Sequence, residues 1–204
     1  MKVIDLFSGC GGFSFAFQAA GFRVVHAMDN WKPAIETYRA NFDHNIIPCN
    51  VSPEIDLPAA DVIIGGPPCQ GFSSAGLRSS ADTRNTLVDV FAKIVVKHLP
   101  RAFVFENVEG FLTFDNGKHV FSLLGPLIEA GYQIHLRKIN ASTFGVPQHR
   151  KRVIVIGGLG WTPSFPNPTT ASRGAPGSTR LNRLGMPATP SFEDALLGLP
   201  ARVN

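Results

Sequence analysis

The residues able to do chemistry in this sequence stand just beyond short apolar runs. Cys69 lies in Gly65-Gly66-Pro67-Pro68-Cys69-Gln70-Gly71-Phe72-Ser73, directly after Asp61-Val62-Ile63-Ile64. Glu106 follows Ala102-Phe103-Val104-Phe105, and Gln148, Arg150 and Arg152 lead into Val153–Ile156. A thiolate is a nucleophile, a carboxyl group moves protons, and guanidinium groups hold anions or oxygen acceptors. Each has a plainer reading. A lone cysteine beside a strand is ordinarily a small buried hydrophobe. A glutamate after a strand is commonly a solvated loop residue, and alternating Gln and Arg can be surface charge. Behind Cys69, the stretch Gly71–Ser80 is small and polar, with one Arg, and reads as a mobile loop.

The elements that must position these groups alternate between strands and helices. Lys2–Phe7 reads as a strand, Ser8-Gly9-Cys10-Gly11-Gly12 as a glycine-rich turn, and Phe13–Ala20 as a helix stopped by Gly21. Phe22–Met28 is a second strand with Asp29 at its end. Trp31–Asn41 is helical, with Pro33 in its first turn. Val51–Ala60 is a Pro-rich connection before the strand Asp61–Ile64. A helix over Leu87–Leu99 ends at Pro100, and the strand Ala102–Phe105 is followed at once by Glu106. Then come a helix over His119–Ala130, a strand over Tyr132–Ile139, and a strand Val153–Ile156 opened by Gln148-His149-Arg150-Lys151-Arg152. If that opening is strand, its period of two places Gln148, Arg150 and Arg152 on one face.

This alternation predicts an α/β fold, a mostly parallel sheet with helices on both faces. Residues 1–160 read as one cofactor-binding catalytic domain. Residues 161–204 read as an irregular Pro/Gly-rich C-terminal tail, with one short helix capped by Ser191. A glycine turn between a first strand and helix suits a nucleotide, because the backbone can be approached closely and the helix N-terminus offers free N–H groups. The spacing misses the dinucleotide fingerprint G-x-G-x-x-G, since the third position falls on Ser14. Asp29 suits the hydroxyls of a ribose or the start of the following helix.

Hydrophobic residues at 44% and charged residues at 17% mark a globular chain and exclude a disordered one. No apolar run reaches membrane-spanning length, and no N-terminal stretch resembles a signal peptide. Three cysteines without metal-ligand spacing suggest reduced thiols in a cytosol and no bound metal. A formal charge of +4 permits a nucleic-acid partner without requiring one.

Four stretches in this order, Asp5–Phe13, Gly65–Ser73, Glu106-Asn107-Val108 and Gln148–Arg152, resemble the cytosine-5 DNA methyltransferases, from the first strand to about Gly158. The resemblance implies a Rossmann-like S-adenosylmethionine-dependent methyltransferase fold. It also implies methyl transfer to carbon 5 of cytosine in duplex DNA. Cys69 is then the thiolate that adds to carbon 6 of the ring, Glu106 the acid at ring nitrogen 3, and Arg152, with Arg150 beside it, the donor to the exocyclic oxygen. The target base must be flipped out of the duplex. Gln70, Ser73, Arg78, Arg84, Asn107 and Gln148 would meet that base or the DNA. S-adenosylmethionine would lie against Phe7, Gly9, Cys10, Gly11, Gly12, Asp29, Asn30, Asn50, Val51, Pro68 and Leu87. The setting implied is the cytoplasm of a prokaryotic cell, with no membrane attachment and a role in restriction-modification.

The sequence also departs from the family. Asn30 stands where an apolar or aromatic residue usually covers the adenine, and Trp31 comes one position late. Asn50 stands where an acidic residue often meets the adenine amino group. Residues 1–204 match neither the family's target-recognition domain nor its late motifs, so a second chain carrying them is expected, or a truncation. Their lack is expected to expose apolar surface near Met1–Phe7. A catalytically dormant cofactor-binding module and a transfer-RNA methyltransferase are the alternative readings.

Overall fold

The computed structural model describes residues 1–68, 86–172 and 184–198. Seven strands form one sheet in the order β3-β2-β1-β4-β5-β7-β6. They are β1 (Lys2–Leu6), β2 (Arg23–Asp29), β3 (Ile46–Pro48), β4 (Val62–Gly65), β5 (Ala102–Val108), β6 (Tyr132–Asn140) and β7 (Lys151–Leu159). The helices are α1 (Gly12–Ala19), α2 (Lys32–Asn41), α3 (Thr86–His98), α4 (Lys118–Glu129) and the short α5 (Phe192–Leu196). β1 pairs in parallel with β2 and β4, β2 with β3, and β4 with β5. Leu159, at the end of β7, donates to the Arg101 carbonyl just before β5 at 2.9 Å, so β7 runs against β5.

Side-chain alternation along the strands sorts the core onto the two faces of the sheet. Ile4 and Leu6 of β1, Ile63 of β4 and Phe103 and Phe105 of β5 pack with Val88, Phe91 and Val95 of α3 and Leu123 and Leu127 of α4. Val3 and Ile64 point the other way, against Phe13 and Phe17 of α1. Ala27 and Ile46 pack with Ile35 and Tyr38 of α2. Strands buried on both faces are near-continuous apolar runs, which is what parallel pairing requires.

Some elements differ from the sequence reading. β3 was not anticipated, because three residues are too short for a hydrophobic period to show. β5 continues through Val108, so Glu106 and Asn107 lie within the strand instead of following it; alternation persists, with Phe103, Phe105 and Asn107 buried. β7 begins only at Lys151. Gln148 accepts from Arg150 N–H at 3.0 Å and its own N–H donates to Val146, which makes a tight turn. The period-two placement of Gln148 and Arg150 on one strand face therefore does not hold. Within Met1–Phe7, Val3, Ile4 and Leu6 are buried because β1 is central, and Met1 is exposed.

The chain divides into two compact units, Met1–Arg137 with Val153–Ser164, and Lys138–Arg152 with Phe165–Asn204. In the second, Thr143 O accepts from Thr169 and Thr170 N–H, and Ala171 bridges Ala188. Ser191 caps α5, as the sequence predicts, and it also shares a reciprocal capping box with Asp194. Among the described residues no helix is long and apolar enough to cross a membrane.

Phe91 joins α3 to β5 through edge contacts with Phe103 and Phe105, at ring separations of 6.2 and 5.3 Å. It is fully buried. Phe91→Ala should cost about 3–5 kcal/mol in urea unfolding, the usual range for emptying a buried aromatic site. A loss under 1 kcal/mol would show that α3 does not depend on this contact.

Candidate functional site

Parallel pairing brings the carboxyl ends of β1, β2, β4 and β5 to one edge of the sheet, the position where open α/β folds gather ligands. The chain leaves β1 through an unusual backbone. Phe7 has φ 58, Gly9 φ 56 and Gly11 φ 96. A phenylalanine held in the left-handed region is strained and persists only where its surroundings demand it. Gly11 N-caps α1, and a Cβ there would lie 2.3 Å from the Phe42 ring and 3.0 Å from Tyr38. The inner side of the turn is thus pressed onto α2. Its outer side is open: a Cβ on Gly9 or Gly12 would meet nothing within 4 Å. Cys10 is exposed and Phe7 half-buried.

Asp29, at the end of β2, ties this turn to the next strand. Its Oδ2 accepts from Gly9 N–H at 2.8 Å and its Oδ1 from Trp31 N–H at 2.8 Å. Each carboxylate oxygen keeps a further lone pair for a ribose hydroxyl. The N-cap of α2 is Trp31, so Asp29 steadies the helix start from two residues before it. Asn30 donates through Nδ2 to Asn50 Oδ1 at 2.7 Å. The two asparagines that depart from the expected pattern therefore bond to each other. Val51 is buried in the main core, Leu87 half-buried on α3, and Pro68 exposed beyond β4.

At the β4–β5 junction Gly65 pairs with Phe105, which places Gly66 beside Glu106. A Cβ on Gly66 would stand 3.1 Å from Glu106 Oε2, so the absence of a side chain there makes room for the carboxyl group. Asn107 is buried; its Oδ1 accepts from Val108 N–H at 2.8 Å, and among the described residues its Nδ2 has no partner. Cys69, Gln70, Ser73, Arg78 and Arg84 lie outside the described residues.

In the other unit Gln148 and Arg150 are exposed. Arg150 N–H donates to Asn140 Oδ1 at 3.1 Å, and Arg152 Nη1 to the Lys151 carbonyl at 2.8 Å. Among the described residues no group of three His, Cys, Asp or Glu side chains could hold a metal ion.

A family model for the C-5 cytosine-specific DNA methylases matches residues 1–175. The chain belongs to the C-5 cytosine-specific DNA methylase family. It is 45% identical over 164 residues to the type II methyltransferase M.HgiDI of Herpetosiphon aurantiacus, covering 77% of this chain and 52% of that protein. It is 39% identical over 189 residues to M.AquIA of Picosynechococcus, covering 82% of this chain and 76% of that one. A solved structure described as a DNA modification methyltransferase encoded within an E. coli prophage superimposes with a TM-score of 0.77 at 31% identity. The match covers all of this chain and 56% of that one. The chain spans about half the length of most of the curated relatives it matches.

One buried group lies outside the expected site residues. Asp5 points from β1 toward α1 and is fully buried. Its Oδ2 accepts from Ser14 Oγ at 2.6 Å, Ser14 Oγ from Tyr38 Oη at 2.7 Å, and Tyr38 Oη lies 2.6 Å from His44 Nε2. Burial raises the Asp5 carboxyl to about 7 against the hydrogen bonds from Ser14, and the charge of Asp29 raises it further. Burial likewise raises Tyr38 to about 12 and lowers His44. The signal available in the sequence was a carboxylate at an inward strand position, two residues after Val3.

A carboxyl whose folded pKa lies above its unfolded value favours folding below the unfolded pKa, and that contribution is lost as pH rises through the folded one. For Asp5 the window runs from 3.8 to about 7. Urea unfolding of Asp5→Asn should therefore gain on the wild type by about 2–4 kcal/mol between pH 4 and pH 7. A constant difference between the two across this range would contradict the shift.

Proposed function

We propose that this chain carries the chemical centre of a DNA cytosine-5 methyltransferase and transfers a methyl group from S-adenosylmethionine to carbon 5 of a flipped-out cytosine in duplex DNA. The observation that carries this reading is the fit of Gly66 against Glu106. The strand that leads through Pro67-Pro68 to Cys69 ends beside a carboxyl group on the neighbouring parallel strand. A nucleophile adding to carbon 6 of cytosine builds negative charge on the ring, and an acid at ring nitrogen 3 is the group that relieves it. In this proposal Cys69 attacks, Glu106 holds and protonates nitrogen 3, and Arg152, with Arg150, binds the exocyclic oxygen. Once carbon 5 carries the methyl group, its proton passes to water, the double bond to carbon 6 re-forms as the Cys69 thiolate leaves, and nitrogen 3 returns its proton to Glu106. Asn107, next to Glu106, and Gln148, Gln70, Ser73, Arg78 and Arg84 contact the base or the DNA.

The residues of the glycine turn fit S-adenosylmethionine. Its outer face is open at Gly9 and Gly12, and Asp29 keeps acceptor capacity for the ribose. When bound, the cofactor supplies an electrophilic methyl group. Phe7 and Pro68 would flank its adenosine, with Val51 and Leu87 completing the pocket, and the turn from Gly9 through Cys10 to Gly12 would meet its methionine part. No metal enters this scheme. Residues 1–160 would carry the chemistry and 161–204 lead toward target recognition. A second polypeptide, or a further part of a longer one, would supply the sequence reader. A cytoplasmic restriction-modification setting completes the proposal.

Mixed with a chain supplying target recognition, the protein should form a covalent adduct with duplex DNA bearing 5-fluorocytosine, visible as a shifted band in denaturing gels, and Cys69→Ala should form none. An adduct surviving that substitution would remove Cys69 from the mechanism. At the cofactor pocket, Asn50→Asp retains an acceptor for Asn30 Nδ2 and adds a second one for an adenine amino group. It should tighten S-adenosylmethionine binding by about 2–10-fold in calorimetry, the worth of one net hydrogen bond. Weaker binding would place Asn50 away from the adenine.

A further inference from the structure

The catalytic scheme leaves Asp5 unused, although a buried carboxylate is costly unless something requires it. Its surroundings restrict what it can do. One hydroxyl carries one proton, so the direction of the chain Asp5–Ser14–Tyr38–His44 is set by counting. With Asp5 ionised, Ser14 donates to Asp5 and Tyr38 donates to Ser14. Tyr38 must then receive from His44 Nε2–H. With Asp5 protonated, every donor reverses, and neutral His44 accepts at Nε2 while its proton sits on Nδ1. Both states keep all three bonds, at 2.6, 2.7 and 2.6 Å. The two differ in the charge stored behind the glycine turn. Ser14 and Tyr38 are fully buried, whereas His44 is half-buried and reaches solvent.

The chain also touches the turn directly. Asp5 and Ser14 are the two ends of the segment that contains it, and the Tyr38 ring closes over Gly11. Few other charges interfere. Asp29 of β2 raises Asp5, and Asp43 opposes the burial of His44. α1 carries no charged residue, and Asp5 pairs with Ala27 and Ile64 on the flanking strands. Lys32, Glu36 and Arg39 of α2 are exposed.

We propose that this chain of side chains links cofactor charge to a proton: a cationic ligand on the glycine turn drives a proton from Asp5 through Ser14 and Tyr38 to His44 and water, and a neutral ligand lets it return. The inference rests on the reading that S-adenosylmethionine binds at this turn. Asp29, whose carboxylate bonds the turn, is already felt electrostatically at Asp5, so charge placed at the turn reaches Asp5. The balance is simple. Asp5 loses the proton on Oδ2, each hydroxyl passes one on, His44 gains one at Nε2 and releases one from Nδ1. S-adenosylmethionine bears a sulfonium cation that S-adenosylhomocysteine lacks. By linkage, whatever expels a proton binds more tightly once that proton has gone. The substrate form is thereby held more firmly than the spent form as pH rises through neutrality.

The test is calorimetric titration of the full chain with each ligand, in buffers of different ionisation heat, from pH 6 to pH 8. Wild type should release a substantial fraction of a proton with S-adenosylmethionine and less with S-adenosylhomocysteine, and its preference for the former should rise several-fold across this range. Asp5→Asn should flatten that rise. Ser14→Ala removes a bond that favours the ionised carboxyl, so it should move the rise to higher pH; it decides the matter even if Asp5→Asn fails to fold. A bracing role alone would weaken binding without moving the profile. Tyr38→Phe should slow proton appearance in a stopped-flow indicator assay. Equal proton release by the two ligands, or a profile unmoved in Ser14→Ala and Asp5→Asn, overturns the proposal while leaving cofactor binding intact. If neither ligand binds the wild type, the cofactor reading fails and the proton linkage with it.

Discussion

The parallel ladder through β2, β1, β4 and β5 is the constraint on which the rest depends. Because these strands run the same way, their carboxyl ends share one edge, and every polar group placed after an apolar run is delivered to it. The glycine turn leaves β1, Asp29 ends β2, Gly66 leaves β4, and Glu106 stands near the end of β5. An antiparallel neighbour in place of β4 would have sent Gly66 and the chain leading to Cys69 to the opposite edge from Glu106. The apolar character of the strands is thus tied to the chemistry, since parallel strands covered by helices on both faces must be apolar almost throughout.

Within that frame, close approach does much of the positioning. Gly66 leaves room for the Glu106 carboxyl group, and Gly11 lets the turn settle on Tyr38 and Phe42. Phe7 holds a left-handed backbone that its side chain disfavours. The backbone there is set by hydrogen bonds from both sides. Ser8 N–H donates to Met28 O at 2.9 Å, Gly9 N–H to Asp29, and Gly11 N–H to Ser8 O at 2.9 Å. A turn fixed this tightly presents its outer face to a ligand in one conformation, which reduces the ordering cost of binding.

Most of the architecture was legible in the residues. Alternating apolar runs and amphipathic helices predict the α/β class, and Gly21, Pro100 and Gly131 mark helix ends within a residue or two of the observed ones. The errors have physical causes. β3 is too short to carry a period. β5 runs past Phe105, where Glu106 suggests a strand exit, because a buried Asn107 continues the alternation. Gln148 and Arg150 alternate as a strand would, but backbone bonds from Gln148 to Val146 and from Arg150 to Gln148 fold them into a turn.

The sequence by itself determined the family, because methylase chemistry needs particular residue types in a particular order, and that order is a property of the chain. It also determined which groups stand at strand ends, since apolar periodicity and glycine breaks are local. What only the tertiary structure decided are relations between residues far apart in sequence. Nothing local says that Asn30 bonds Asn50, that Gly66 faces Glu106, or that Asp5, Ser14, Tyr38 and His44 join in one line of hydrogen bonds. Those pairings follow from strand register and helix packing. These set distances to a few tenths of an ångström, on which both a hydrogen bond and a buried charge depend.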